Sequence, residues 1–395
     1  MIFSDIVQRF DTSLNALYQE RQLRRSRGLP IVDLISANVT QAGFIFPEAL
    51  LRRCLQQGLR QSRIYHPHPL GQPVARAAVS NFYAKERLKV SEDHILITPG
   101  TSVSYWYLFK LLANAGDEIL CPRPSYPLLD AIAELCGIRL IPYRLLEKRR
   151  WEIDLEHLQS RITSKTRAIV LISPHNPTGA VATERELAGL SMIAAKHHLP
   201  IISDEVFSAF LFEQEHLPRP DTRAPLVFTL NGISKMLALP GLKLGWIAVS
   251  GDPSLVKKSM RALDLMSDTF LPVNEAIQFT FPPLLLKGKG FMSRFQHEVL
   301  TRAQLMMHQL REVQAFSWAK PEGGFYLTLR LKEKALNEEK LALQLLQQEG
   351  LLLHPGYFYD MPGAHLILSF VSPTNTLLSA VKKIKHILTQ KLLSR

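Results

Sequence analysis

The chain has 395 residues, 46% of them apolar and 21% charged, which is enough to bury a sizeable core and too evenly mixed to read as disordered. There are 47 Lys and Arg against 35 Asp and Glu, a formal net charge of +12. The basic residues are scattered, and the clusters QLRRSRG (22–28) and VKKIKH (381–386) are short and lack interleaved aromatics. They read as a solvated N-terminal segment and the polar side of a helix, so no nucleic acid is expected and the charge suits anionic small molecules better.

Cys54, Cys121 and Cys136 show no CxxC spacing and are odd in number, which argues against a disulfide framework. Asp5 interrupts the N-terminus too early for a signal-peptide core, and no apolar run reaches membrane-spanning length. A soluble cytoplasmic protein is expected.

The middle of the chain alternates strands and helices. ILITPG (95–100) leads into the helix-like SVSYWYLFKLLANAG. EILCPRP, a helix from Tyr126 to about Gly137, and IRLIPY follow. AIVLISPHNPTG (168–179) precedes the helical ERELAGLSMIAAKHH, and PIISDE (200–205) and LVFTLNG (226–232) are further strands. This order predicts an α/β fold with a mostly parallel sheet and a site at the strand ends.

Past about residue 275 the pattern changes. FMSRFQHEVLTRAQLMMHQLREVQ predicts a long amphipathic helix, and GGFYLTLRL (323–331), LLLHPG and HLILSFV predict strands. The tail from Asn375 places Leu378, Val381, Ile384, Leu388 and Leu392 on one helical face. This half predicts a smaller α+β domain. The expected division is a large domain over 46–275 and a small one formed by 1–45 with 276–395.

Several turns at strand ends carry complementary chemistry. GTS (100–102) ends a strand and opens a helix, so free N–H groups and two hydroxyls can face a phosphate, although an ordinary cap would look the same. In HNPTG (175–179), Asn176 offers an amide and Pro177 suits a cis turn. Asp204 closes the apolar PIIS run and needs a cationic partner, whether a structural Arg or a protonated pyridine nitrogen. In PRPSYP (122–127), Tyr126 follows a rigid turn and suits stacking on a flat ring. NGISKMLALPGLKLGW (231–246) sets Lys235 among apolar residues, with Lys243 eight positions on.

Together these pieces resemble the class I/II aminotransferases, fold-type I enzymes that use pyridoxal 5′-phosphate. The resemblance runs over nearly the whole chain and in the family's order, with Tyr65, Gly71 and Arg76 at family spacing, then GTS, PxPxYP, GDEIL (116–120), NPTG, DEV and the segment around Lys235. It implies that Lys235 forms a Schiff base with the cofactor aldehyde and then shuttles the substrate proton. Asp204 is implied to keep the pyridine nitrogen protonated, Asn176 to bond the ring oxygen, and Tyr126 to stack on the ring. Gly100, Thr101, Ser102, Ser234 and Lys243 are implied to hold the phosphate, Lys243 standing where the family has an arginine. Tyr65 is implied to reach the neighbouring subunit's phosphate, hence a homodimer with shared sites.

Three further departures bear on function. Gly232 replaces a hydroxyl residue and so removes a phosphate donor. Phe207 replaces a tyrosine that donates to the ring oxygen, which predicts a raised pKa for the resting imine. Ile367 stands where the C-terminal strand has the arginine that clamps the substrate α-carboxylate, and from residue 331 onward the sole arginine is Arg395. His365, Arg330 or an N-terminal residue are the candidates to replace it; the alternative is a substrate without a conventional α-carboxylate. The expected activity is transfer of an amino group from an amino-acid or amine donor to a keto acceptor. A lyase or decarboxylase on the same scaffold is the alternative, and a non-catalytic regulator a third reading disfavoured by Lys235 and Asp204.

Overall fold

The computed structural model describes residues 2–3, 6, 15–36, 38–333 and 337–393. Helix α1 (Ala16–Ser26) precedes the short strand β1 (Val32–Asp33), and α2 (Glu48–Gln61) and α3 (Pro73–Lys85) follow. The central run is β2 (Ile95–Thr98), α4 (Thr101–Leu112), β3 (Glu118–Arg123), α5 (Leu128–Cys136), β4 (Arg139–Leu146), β5 (Glu152–Ile153), α6 (Leu155–Ser160) and β6 (Thr166–Ile172). It continues through α7 (Glu184–His197), β7 (Ile201–Asp204), β8 (Leu226–Gly232), α8 (Ile233–Met236) and β9 (Gly245–Gly251).

These strands form one eight-stranded sheet in the order β2–β9–β8–β7–β6–β3–β4–β5. Strands β4, β3, β6, β7 and β8 pair in parallel, β9 runs against both neighbours, and β5 is an antiparallel edge. The sheet is buried on both faces, as near-continuous apolar strands require. Alternate residues feed two cores: Ile95, Ile97, Ile169, Leu171 and Ile201 enter one, and Leu96, Ala168, Val170 and Ile202 the other. The second core is closed by Leu108 of α4, Leu129 and Ile132 of α5 and, beyond β9, by α9 (Pro253–Phe270).

Then come α10 (Glu275–Lys287), α11 (Lys289–Leu310), β10 (Phe316–Ser317), β11 (Tyr326–Leu331), α12 (Glu338–Glu349), β12 (Leu351–Leu352), β13 (His354–Pro355), β14 (His365–Ser369) and α13 (Thr374–Leu393). A four-stranded antiparallel sheet runs β10–β11–β14–β13, and β1 pairs in parallel with β12. In register, Tyr326 faces Ser369, Thr328 faces Ile367, and Ile367 also faces His354.

Four local expectations are corrected. Helix α5 begins at Leu128, because Pro127 opens it and leaves Tyr126 in the preceding loop. LLLHPG splits into β12 and β13. The buried stripe of α13 is Leu377, Ala380, Val381, Ile384, Ile387 and Leu388, with Leu378 half-buried; the Leu392 side chain and Arg395 lie outside the described residues. The N-terminal basic segment is not wholly solvated. Arg24 is buried and donates to the carbonyls of Pro30 and of Gln347 in the last turn of α12, where a cation meets the negative end of a helix.

Candidate active site

The carboxyl ends of β2, β6, β7 and β8 open on one cavity of about 510 Å³, the place where open α/β sheets bind ligands. At the end of β2, Gly100 takes φ +138°, which a side chain would strain, and turns the chain into α4. Among the described residues no side chain caps this helix, so its first N–H groups, those of Thr101 and Ser102 among them, lie at the cavity's edge without a cap.

Strand β7 ends on Asp204, which is 8% exposed. Its Oδ1 accepts the Val206 N–H at 3.0 Å and its Oδ2 accepts the Tyr105 hydroxyl at 2.9 Å. Burial pushes its carboxyl above the usual range, and these two donors oppose that rise. Strand β8 runs into α8, which carries Lys235 onto the cavity. Burial lowers its ammonium from 10.5 to about 8. After β6, the Asn176–Pro177 peptide is cis, and Asn176 Oδ1 is buried without a hydrogen-bond partner. Ser234 and Lys243 complete the same wall, and Tyr126 lines its mouth.

Thus Gly100, Thr101, Ser102, Tyr126, Asn176, Asp204, Ser234, Lys235 and Lys243 line a single cavity. Tyr65 does not; it is 71% exposed on the loop before α3. Gly71 and Arg76 are structural. Arg76 donates to the carbonyls of Gly71 and Glu92, and a Cβ on Gly71 would come within 2.5 Å of Ile97. Among the described residues no cluster of side chains is arranged to hold a metal ion, and no helix is long and apolar enough to cross a membrane.

Residues 32–384 match the family model for aminotransferase class I and II. The chain belongs to the class I and II aminotransferases. It is 28% identical over 361 residues to the glutamate-pyruvate aminotransferase AlaA of Escherichia coli, covering 87% of this chain and 86% of that protein. It is 27% identical over 331 residues to a tyrosine aminotransferase of Dictyostelium discoideum, covering 81% of this chain and 79% of that one. Among solved structures, an alanine aminotransferase from Pyrococcus furiosus superposes with a TM-score of 0.91 at 23% identity, covering 98% of this chain and 100% of the other. The protein is therefore a pyridoxal phosphate-dependent transferase of the fold-type I class acting on small amino and keto compounds, and nothing in these likenesses supports the lyase alternative.

In this aminotransferase Gly232 has a packing reason. A Cβ there would lie 3.0 Å from Gly245 Cα and from the Leu244 carbonyl, because β8 and β9 approach closely. Phe207 is buried, edge-on to Phe325 with ring centroids 5.0 Å apart. Ile367 is fully buried. His365 and Arg330, two candidates to replace an arginine there, both engage Glu147 instead, His365 Nε2 at 3.0 Å from Oε1 and Arg330 on Oε2. Sequence reading missed Tyr105 and Tyr326. Tyr105 sits within an apolar helical run that reads as core, and only the meeting of α4 with the end of β7 shows its partner. Tyr326 reads as a strand residue and enters the cavity from the small sheet.

Proposed function

We propose that this enzyme transfers an amino group from an amino-acid or amine donor to a keto acceptor, with Lys235 as its covalent and proton-carrying group. The observation that carries this reading is the meeting of Lys235, lowered to about 8, with the buried carboxylate of Asp204 on one cavity edged by an uncapped helix start. The cavity suits the cofactor on its own chemistry. Thr101, Ser102, Ser234 and Lys243 offer donors and a cation for a phosphate, and Asn176 brings an amide whose oxygen has no protein partner.

When bound, pyridoxal phosphate supplies an aldehyde for amine capture and a ring that accepts the electron pair left on the substrate carbon. Lys235 Nζ would hold that aldehyde in the resting enzyme and, once freed by a substrate amine, would be the group that accepts and returns the proton of the substrate's amino-bearing carbon. Its lowered pKa makes the neutral amine available near neutral pH. Asp204 would keep a proton on the ring nitrogen, and the Tyr105 hydroxyl and the Val206 N–H favour its charged form against burial and hold it aimed. Tyr126 would cover the ring, and the Asn176 side-chain N–H would donate to its oxygen. Lys243 would neutralise the phosphate as a point charge.

The working form in this proposal is a homodimer in which Tyr65 reaches the other subunit's site. Supporting it, Ile64, Tyr65, Leu265, Phe270 and Leu271 are all more than 60% exposed, apolar surface that a partner subunit would cover. The proposed domains are 46–275 and 1–45 with 276–395, a boundary that α10 crosses, since it runs past residue 275 and packs on α2 and α3 of the large one. The three buried free cysteines favour the reducing cytoplasm as its setting. A donor-by-acceptor screen tests the reaction: the bound cofactor should pass from its aldehyde to its amine form with a donor and back with an acceptor. Release of ammonia or carbon dioxide as the main product would overturn it.

A further inference from the structure

On that transaminase reading, we infer that the physiological amino compound carries no carboxylate on its amino-bearing carbon and presents an apolar or aromatic body to the cavity. Among the described residues, Lys235 and Lys243 are the sole cations lining the cavity, and the reading assigns both to the cofactor. The remaining walls are apolar, built by Leu128, Leu129, Ile132, Ile172, Val206 and Phe207, with the phenols of Tyr126 and Tyr326.

The small sheet reaches this cavity through Tyr326, and the face behind that residue is neutral. Tyr326 brings that face to the site, and the alternation of β11 with the pairing of β14 and β13 continues it through Thr328, Ile367 and His354. Thr328 and Ile367 are buried and uncharged. His354 is enclosed between two phenols, Nε2 at 3.0 Å from Tyr18 and Nδ1 at 3.1 Å from Tyr359, and burial lowers it to about 4, so it carries no charge at neutral pH.

Among the described residues, the basic side chains around this face already have partners. Arg330 and His365 meet Glu147. Arg123 bridges Asp130 and Asp360, tying the Tyr126 loop to the loop after β13. Arg21, from α1, pairs with Asp33 at 3.2 Å. A carboxylate brought against Ile367 would be buried without a counter-charge, whereas a hydrogen or alkyl substituent there loses nothing. Overall R–CH₂–NH₂ and an acceptor carbonyl compound become R–CHO and the acceptor's amine, with no net oxidation. The C–H bond of the donor breaks, its proton goes to Lys235 Nζ, and a proton is returned to the acceptor's carbon.

The test uses the purified holoenzyme, so that any contribution from a neighbouring subunit is included. Single-turnover absorbance compares matched pairs: 2-phenylethylamine with phenylalanine, tyramine with tyrosine, and 3-methylbutylamine with leucine. The amine of each pair should convert the bound cofactor about 100-fold faster at equal concentration, the scale of a lost charge-assisted clamp. A preference for amines below tenfold overturns the inference and leaves transamination standing. No conversion by either series overturns the transaminase reading and the inference with it. Calorimetry gives a readout without turnover: 3-phenylpropan-1-ol should bind more tightly than 3-phenylpropanoate, and the reverse order contradicts the neutral wall. A folded Ile367→Arg variant should narrow the amine preference at least about tenfold; an unchanged preference overturns the assignment of that position. If the variant does not fold, the wild-type comparisons decide.

Discussion

The hydroxyl of Tyr105, on α4, donates to Oδ2 of Asp204, at the end of β7, across 2.9 Å. With the Val206 N–H on Oδ1, this fixes the carboxylate between two elements that share no sequence neighbourhood. Hydrogen bonds to an ionised group favour its charged form, and here they work against burial, the largest influence on this carboxyl. Tyr105→Phe should raise the Asp204 pKa further and weaken cofactor binding about tenfold, the scale of one hydrogen bond to a charged group. Fluorescence titration of the apoenzyme with pyridoxal phosphate measures it, with circular dichroism as the control for folding. An unchanged dissociation constant would show that Tyr105 only fills space.

Lys235 sets a pH dependence. Burial lowers its ammonium from 10.5 to about 8. The folded value lies below the unfolded one, so burial of the cation costs stability most fully below pH 8, and the cost is relieved as pH rises toward 10.5. Capture of an aldehyde needs the neutral amine. The rate of cofactor uptake by apoenzyme should therefore rise with pH and level off above about 8 to 9. Stopped-flow absorbance checks this, and a rate independent of pH across the neutral range would contradict it.

The DEV motif has a structural half. Glu205 is fully buried beside Asp204 and meets Arg219 at 2.8 Å through both oxygens, while Arg219 also donates to the Glu86 carbonyl and lies over the Tyr83 ring. Removing the arginine strands a buried charge. Arg219→Met should cost about 3–5 kcal/mol in urea unfolding. Glu205→Gln combined with Arg219→Met should recover part of that loss. A single variant as stable as wild type would contradict the assignment.

Phe207 lies on the cavity with its ring edge-on to Phe325 and Tyr326. Phe207→Tyr would place a phenol there. The pH at which the bound cofactor's absorbance titrates should fall relative to wild type, because a donor near the ring oxygen competes for it. An absorbance titration that does not move would remove the meaning attached to this substitution.

The parallel sheet and nine residues of the cavity were legible in the sequence because each rests on a local signal: apolar runs ending in Gly100, Asn176 and Asp204, and one lysine among hydrophobes. What was not legible depends on tertiary pairing. Tyr105 reads as core until α4 is laid against β7. His365 and Arg330 read as free replacements for an arginine until Glu147, from the end of the large sheet, is found between them. Gly232 reads as a lost donor until β9 is seen to press on it. The basic stretch near Arg24 reads as solvated until the carbonyl end of α12 arrives.

The most direct measurement is borohydride reduction of the holoenzyme followed by peptide mass spectrometry. The account predicts a pyridoxyl mass fixed on the peptide containing Lys235, absent after Lys235→Ala with the fold intact. Protein that binds the cofactor yet carries the label on another lysine, or on none, would contradict it.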